Sequence, residues 1–278
     1  SLTQIKEPNQ LKHNTYATAA AWLAFGLDIN KTIFYRQSDV AIATELSWIL
    51  SCHFPYQRLK LAHSFKDKSD RLNDVNAGIF TYPMLMASDI LLYDAEFVPV
   101  GKDQQQHLEM TRDVATRFNN AYGETFVIPS PKINENTKYV SGTNGEKMSK
   151  SKGNTIDIFL SENQLKKQIM SIETDSTPID QPKDFKTCNV FKLYSLIADN
   201  KSIEELKQNY QKGGFGYGHA KKELLNYILS HFKNEREKFN HYMNNLGEID
   251  TALNIGANKA TKVAQDVLNR VRQKLGYN

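Results

Sequence analysis

Residues 97–119, FVPVGKDQQQHLEMTRDVATRFN, carry the clearest indication of the fold class. The first four residues of this stretch, Phe97–Val100, predict a short strand, Gly101 predicts a tight turn, and Asp103 opens a predicted helix that runs to about Asn119. A strand, a tight turn and a helix in this order are typical of α/β domains built on a parallel sheet. The sequence therefore predicts an α/β fold in this part of the chain.

The residues that precede this stretch predict further elements of the same domain. Apolar side chains at helical spacing predict helices at 9–27, 40–52 and 82–93, and Pro83 fits the first turn of the last one. The run Thr32–Tyr35 predicts a short buried strand. The charged stretch 66–71 predicts a loop.

The second half of the chain has a different character. After Asn154 the apolar spacing predicts only helices, at 160–172, 190–199, 203–211, 220–243 and 259–275. We therefore predict two domains, an α/β domain at residues 1–157 and an all-helical domain at residues 158–278.

The composition limits the classes of protein that fit. With 40% hydrophobic residues among 278 and a net charge of +4, a disordered or collagen-like chain is excluded, and the slight positive charge allows an acidic partner without requiring nucleic acid. No apolar run reaches the roughly 18–20 residues that cross a bilayer, and nothing resembles a signal peptide, so we expect a soluble cytoplasmic protein. Cys52 and Cys188 lie far apart without ligand-spaced partners, so neither a disulfide framework nor a zinc site is expected.

The strongest chemical signal is GEKMSKSKGN at residues 145–154. Lys147 and Lys150 stand three residues apart among small hydroxyl side chains, and their ammonium groups could neutralise phosphate charge in a transition state. Glycines on both sides allow backbone N–H groups to approach phosphate oxygens. The alternative is a solvated basic turn.

A second signal is YPMLMASDILLY at residues 82–93, an apolar helix that carries one acid, Asp89. Burial of an unpaired carboxylate costs several kcal/mol, so Asp89 needs a partner. Tyr82, Met86 and Asp89 share one helical face, and an apolar floor with one acceptor suits an aromatic ligand that has a single N–H or O–H donor. The alternative is an aspartate satisfied by neighbouring backbone or by a lysine.

Both signals match one family. The string Lys147–Ser151, KMSKS, is identical to the signature of class I aminoacyl-tRNA synthetases. Residues 66–119 closely resemble bacterial tryptophanyl-tRNA synthetases in two blocks, YPxLMAxDILLY and VPVGxDQxQHLExTRD. The resemblance implies a Rossmann-like catalytic domain followed by a helical domain that binds the tRNA anticodon. It also implies a cytoplasmic homodimer that uses ATP with Mg²⁺, L-tryptophan and tRNA(Trp), without a structural metal.

The resemblance also assigns residues to the substrates. For tryptophan it implies that Asp89 accepts the indole N–H, that Tyr82 and Gln104 hold the polar end, and that the ring is lined by Met86, Ile90, Val98 and Val100. For ATP it implies contacts from Gly101, Lys102, Asp103, Val140, Lys147, Met148, Ser149, Lys150 and Ser151. The catalytic lysines would be Lys147, Lys150 and, in a mobile segment with Lys66, Lys68.

Two other functions are compatible with these residues. Tyrosyl-tRNA synthetases share the fold and the acid, but a glutamine usually stands where Met86 stands here, and the thioether favours indole over phenol. A non-catalytic paralogue could keep the amino-acid pocket alone. The His-x-Gly-His motif that the family places after a first strand does not occur in the chain, although Gly216–His219 is superficially similar. The resemblance therefore implies a catalytic domain that lacks its N-terminal segment, with the first strands of the sheet absent, and we expect that this polypeptide alone does not activate its amino acid.

Overall fold

The computed structural model describes residues 7–62, 76–101, 104–133 and 140–277, with Ser151 described by its backbone alone. The chain divides into two compact units. The first contains Ser1–Ala19, Leu27–Thr137 and Asn245–Asn278, and the second contains Ala20–Gly26 and Lys138–Asn244. Among the described residues, no helix combines the length and apolar character that a membrane span requires.

The first unit combines helices with two short strands. They are α1 (Pro8–Ala24, whose last five residues count with the second unit), α2 (Ile42–His53), α3 (Tyr56–Lys60), α4 (Ala77–Leu91), β1 (Phe97–Pro99), α5 (Gln105–Tyr122) and β2 (Ser130–Lys132). The long helix at the end of the chain, which is α11 (Leu246–Lys274), belongs to this unit as well.

The two strands form a parallel pair, as the α/β prediction requires. Phe97 lies opposite Ser130 and Pro99 opposite Lys132, and the Val100 N–H extends the pairing by donating to the Lys132 carbonyl at 3.3 Å. The predicted turn is also present, because the Gln104 N–H donates to the Gly101 carbonyl at 3.0 Å before α5 begins. The strand, turn and helix predicted at residues 97–119 are therefore confirmed.

The core of the first unit lies where α4 packs against α2 and α5. Fully buried side chains from each helix meet there, among them Leu46 and Leu50, Met84 and Leu91, and Val114 and Phe118. The Ser88 hydroxyl donates to the Ala43 carbonyl at 2.7 Å, so a buried polar group of α4 is satisfied by the beginning of α2. This packing fixes the position of α4, which carries Asp89.

The predicted strand Thr32–Tyr35 is wrong, because this segment joins no ladder among the described residues. The Phe34 backbone instead lies against Gly256 of α11, so closely that a Cβ on Gly256 would overlap the Phe34 carbonyl. An apolar run predicts burial, but which partner it meets depends on elements far away in the chain.

The predicted position of Pro83 is also wrong. The helix begins at Ala77, where the Asn76 side chain caps it by accepting a hydrogen bond from the Ile79 N–H at 3.2 Å. Pro83 is therefore inside α4 rather than in its first turn. The reason is that the cap and the buried residue Ile79 extend the helix ahead of the proline, which removes only one N–H donor from it.

The second unit is helical. It contains α6 (Glu162–Met170), α7 (Asn189–Ile197), α8 (Asn200–Lys212), α9 (Tyr217–His231) and α10 (Lys233–Asn244). Its core holds buried side chains such as Leu165, Val190, Tyr210 and Leu224. The predicted helix 220–243 is two helices that meet at Phe232, and the predicted helix 259–275 begins thirteen residues earlier, at Leu246.

The division into units differs from the predicted boundary between residues 157 and 158. The longer segment of the second unit is Lys138–Asn244, because α11 buries Ala260, Val267 and Val271 in the core of the first unit. The assignment of an ATP- and tryptophan-binding domain and a tRNA-binding domain stays a prediction.

We expect Gly256→Ala to destabilise the protein by about 1–3 kcal/mol, because the added methyl group overpacks against the backbone of Phe34. Gly247→Ala is the matched control, since it lies in the same helix and its added methyl group would meet open space. That control should be neutral or stabilising by up to about 1 kcal/mol. Urea unfolding of both variants measures the difference, and equal stabilities would contradict the close packing.

Candidate active site

Three of the residues predicted to bind the amino acid lie on one face of α4. Tyr82, Met86 and Asp89 are each half-buried, so they are neither sealed in the core nor fully in solvent. Ile90 is buried, whereas Val98 and Val100, on and beside β1, are half-buried. Such partly accessible apolar side chains around one acid can bind an apolar ring with a single donor.

A chain of hydrogen bonds joins Tyr82 to Gln104. The Tyr82 hydroxyl lies 2.6 Å from Nε2 of His107, and Nδ1 of His107 lies 3.1 Å from Oε1 of Gln104. Since Oε1 can only accept, Nδ1 of His107 donates to it. The other nitrogen of the neutral ring, Nε2, then accepts a hydrogen bond from the Tyr82 hydroxyl. The two side chains predicted to hold the polar end of the amino acid are thus brought together by a third residue.

Sequence reasoning missed His107, which is buried and only 4% exposed. The available signal was its spacing, because His107 follows Gln104 by three residues and therefore lies near it on the same face of a helix. A buried imidazole needs partners for both ring nitrogens, and these two contacts supply them.

Asp89 has the partner that its burial requires. The Gln37 side-chain amide donates through Nε2 to Oδ2 of Asp89. Burial raises the pKa of Asp89 to about 6, and the hydrogen bond from Gln37 lowers it by a smaller amount. The described donor is an amide side chain that sequence reasoning did not single out, and within residues 7–62, 76–101, 104–133 and 140–277 neither a backbone N–H nor a lysine donates to Asp89.

Two phenols lie near the same carboxylate. The Tyr35 hydroxyl donates to the Tyr93 hydroxyl at 2.6 Å, and burial raises the pKa of both tyrosines. The negative charge of Asp89 raises both pKa values further. This part of the first unit therefore disfavours additional negative charge, as a site for a neutral ring with a donor should.

The lysine loop, residues 140–154, belongs to the second unit and begins as a small hairpin. The Met148 N–H donates to the Val140 carbonyl at 2.8 Å, and the Gly142 N–H donates to the Glu146 carbonyl at 2.7 Å. Gly145 turns the chain at φ +78°, which a glycine adopts without strain. Met148 packs against the helical core, so the backbone of the loop is anchored at its centre.

Asn154 fastens the two ends of this loop together. It is 2% exposed, its Oδ1 accepts the Ser149 N–H at 2.8 Å, and its Nδ2 donates to Asn144 Oδ1 at 2.8 Å and to the Lys147 carbonyl at 3.2 Å. A Cβ on Gly142 would overlap this amide. Sequence reasoning gave Asn154 no role, although it follows the signature directly.

The charged groups of the loop remain accessible while its backbone is held. Lys147 and Lys150 are exposed, and no carboxylate among the described residues forms an ion pair with Lys150. Lys152 instead pairs with Glu146 at 2.8 Å, and this ammonium lowers the pKa of Glu146. Exposed ammonium groups on an anchored loop can neutralise the charge of a phosphate group.

The structure describes only some of the remaining residues that were predicted to contact the nucleotide. Gly101 and Val140 are exposed, and the Val140 carbonyl is used within the hairpin. The backbone of Ser151 lies in a short 3-10 turn, Lys150–Lys152. Lys66, Lys68, Lys102 and Asp103 lie outside the described residues. Among those that are described, no group of three or more His, Cys, Asp or Glu side chains could hold a metal ion.

Comparison with known proteins gives a consistent result. Residues 2–233 match the model of a family described as tRNA synthetases class I (W and Y). The tryptophan–tRNA ligase of Campylobacter jejuni (strain RM1221) is 46% identical over 276 residues, which cover 99% of this chain and 86% of the relative. The tryptophan–tRNA ligase of Fusobacterium nucleatum is 46% identical over 277 residues, or 99% of this chain and 85% of that one.

A solved structure is similar as well. The crystal structure of tryptophanyl-tRNA synthetase from Campylobacter jejuni complexed with ADP and tryptophan matches with a TM-score of 0.95 and 46% identity. The match covers 99% of this chain and 86% of that chain. The class I synthetase fold with its helical second part, predicted from the sequence, is therefore confirmed.

We expect Asp89→Asn to stabilise the folded protein at neutral pH. Because the pKa of Asp89 is raised on folding, the native state binds more protons than the unfolded state between about pH 4 and 6, and stability falls as pH rises through that window. The asparagine side chain does not titrate, so the variant does not lose stability in this way as the pH rises. Urea unfolding from pH 4 to 7.5 should show a difference between variant and parent that grows with pH and levels above about 6. A difference independent of pH would contradict the assigned titration.

Proposed function

The chain belongs to the class I tRNA synthetases for tryptophan and tyrosine and functions as an ATP-dependent tryptophan–tRNA ligase, and we propose that Asp89 is the residue through which it recognises its amino acid. The observation that carries the proposal is the half-buried Asp89 carboxylate on an apolar helix face. A charged acceptor there is costly unless a donor arrives, and the indole N–H is such a donor.

Selection of tryptophan over similar amino acids follows from the same residues. An analogue without a ring donor, such as phenylalanine, would leave the carboxylate unpaired and bind much more weakly. Tyrosine carries a donor, so it must be rejected by shape and polarity. The half-buried thioether of Met86 supports this, because it offers a phenol hydroxyl no strong hydrogen bond.

The polar end of the amino acid is the proposed ligand of the Tyr82–His107–Gln104 chain. The Tyr82 hydroxyl donates a hydrogen bond to His107. The lone pairs of the hydroxyl oxygen are therefore available to accept from an α-ammonium group. Oε1 of Gln104 is a carbonyl oxygen with two lone pairs, so it can accept from the same group. With its ammonium group held in this way, the amino acid would present its own carboxylate to the α-phosphorus of ATP in the orientation needed for attack.

The reaction has two steps. A carboxylate oxygen of tryptophan attacks the α-phosphorus of ATP, the bond from that phosphorus to the bridging oxygen breaks, and pyrophosphate leaves with the bonding electrons. A terminal ribose hydroxyl of the tRNA then attacks the adenylate carbonyl, and AMP leaves. We assign Lys147 and Lys150 to neutralise the phosphate charge that shifts in the first step, because both ammonium groups are exposed on a loop anchored by Asn154.

The other nucleotide contacts remain proposals from the family motif. They are Gly101, Lys102, Asp103, Val140, Met148, Ser149 and Ser151, with Lys68 as a third catalytic lysine. Magnesium is proposed to arrive with ATP, bound mainly by phosphate oxygens as this ion prefers.

The proposed macromolecular partners are a second copy of the chain and tRNA(Trp), in the cytoplasm. Large apolar side chains on the first unit support a dimer, since Trp48 is 72% exposed and Phe97 65% exposed, with Tyr56 and Leu61 also exposed. For tRNA, the exposed lysines Lys222 and Lys238 of α9 and α10 could meet phosphate. Lys221 is less suitable, because it donates to the Met170 carbonyl and burial lowers its pKa.

ATP–pyrophosphate exchange by the full-length enzyme tests the proposed specificity. Exchange should depend on L-tryptophan and be lower by orders of magnitude with L-tyrosine or L-phenylalanine at equal concentration. Exchange with tyrosine alone would favour the tyrosine enzyme. Binding of tryptophan without any exchange would favour a non-catalytic paralogue.

We expect Lys150→Ala in the full-length enzyme to slow activation about 100-fold, or about 3 kcal/mol, with little change in tryptophan affinity. Lys152→Ala is the matched control in the same loop, because Lys152 is engaged in an exposed pair with Glu146. An exposed pair of this kind contributes little to stability, so the control should retain most of its activity. Single-turnover activation and tryptophan titration separate the two effects, and an equal loss of tryptophan binding would contradict the role of Lys150.

A further inference from the structure

We propose that Gln37 is a positioning residue for recognition of the amino acid: its amide holds Oδ2 of Asp89 and leaves Oδ1 for the ring N–H of tryptophan. This inference rests on the proposed role of Asp89. It adds a second residue to the specificity pocket, from a turn outside both sequence blocks that match the family.

The contact gives the two oxygens of the Asp89 carboxylate different roles. Nε2 of Gln37 donates to Oδ2 of Asp89, and among the described residues no donor contacts Oδ1. A carboxylate that is fixed at one oxygen cannot rotate freely about its last bond. The other oxygen is then presented in one direction, which is what a pocket for a single N–H donor requires.

Gln37 lies in a turn that is itself held firmly. It begins the 3-10 turn Gln37–Asp39, in which the Val40 N–H donates to the Gln37 carbonyl at 3.1 Å. Arg36 supports the turn by pairing with Asp39 at 2.9 Å and with Asp250 of α11 at 3.1 Å. Arg36 therefore closes the turn on itself and connects it to α11.

Further contacts connect this turn to the rest of the first unit. The Tyr16 hydroxyl of α1 donates to Asp250 at 2.9 Å, and this carboxylate is the one that pairs with Arg36. On the other side, the hydroxyl of Ser88 donates to the Ala43 carbonyl, and Ser88 is the residue before Asp89. The amide and the carboxylate thus belong to segments that are each fixed by independent bonds.

The Gln37 amide stabilises the charged form of Asp89, and the ionisable groups around this carboxylate do not. The ionisable groups that sense Asp89 are the phenols Tyr35 and Tyr93, and neither supplies positive charge. Three titratable groups on the helices packed against α4 have partners other than Asp89: Glu45 pairs with Arg272, Asp113 with Arg58, and His107 bonds to Tyr82 and Gln104. The Gln37 hydrogen bond is therefore the contact that lowers the pKa of Asp89 against the effect of burial.

Loss of this bond has a consequence that can be measured. Without the amide the carboxylate would bind a proton at higher pH, and a protonated carboxyl group accepts the ring N–H less strongly. Tryptophan affinity would then begin to fall at a higher pH than in the parent. The ionisable groups of free tryptophan do not titrate between pH 5 and 8, so they do not interfere.

The test is isothermal titration of the full-length protein with L-tryptophan from pH 5 to 8. In the parent, affinity should fall as pH decreases through about 6, where Asp89 is protonated. Gln37→Met keeps the length of the side chain but has no donor, and it should raise the midpoint by about one pH unit, which weakens binding about fivefold at pH 6 and about twofold at pH 7. Gln273→Met, at an exposed position of α11, should leave both values unchanged.

Two further variants distinguish the possible failures. Gln37→Asn retains the amide but is too short to reach Asp89, so it should behave like Gln37→Met. Asp89→Asn should weaken binding and remove the component of the pH profile that Asp89 contributes. Unchanged midpoints in both Gln37 variants, with a clear loss in Asp89→Asn, would overturn the role of Gln37 alone. Normal binding by Asp89→Asn would overturn the proposed role of Asp89 itself.

Discussion

The carboxylate of Asp89 lies on an apolar helix face where burial disfavours its charge, and the first unit is arranged around that constraint. Burial raises the pKa of this group to about 6, and one amide donor offsets the effect only in part. A ligand that supplies a second donor would complete the pairing. The site is thus prepared for a neutral aromatic ring with one N–H group, which is the chemistry of the indole side chain.

A polar side chain also fixes functional groups in the lysine loop. Asn154 is buried and binds the backbone at Ser149 and Lys147, while the ammonium groups of Lys147 and Lys150 stay exposed. His107 does the same for Tyr82 and Gln104. In each case a polar residue with no direct chemical role holds the residues that act on substrates, and this reduces the disorder that would slow positioning.

The sequence predicts best what depends on neighbouring residues. The strand, turn and helix at 97–119 follow from local pattern, and the need of Asp89 for a partner follows from the cost of burying a charge. The segment Thr32–Tyr35 could not be predicted correctly, because its packing against Gly256 joins residues more than two hundred positions apart. Gln37, His107 and Asn154 were missed for a related reason, since the role of a polar side chain depends on what folds against it.

The most direct test of the central claim is a crystal structure of the full-length protein with L-tryptophan bound. The indole nitrogen should lie about 2.7–3.2 Å from Oδ1 of Asp89, while Gln37 keeps its bond to Oδ2. A structure in which the Asp89 carboxylate turns towards a lysine, with the ring bound elsewhere, would contradict the account.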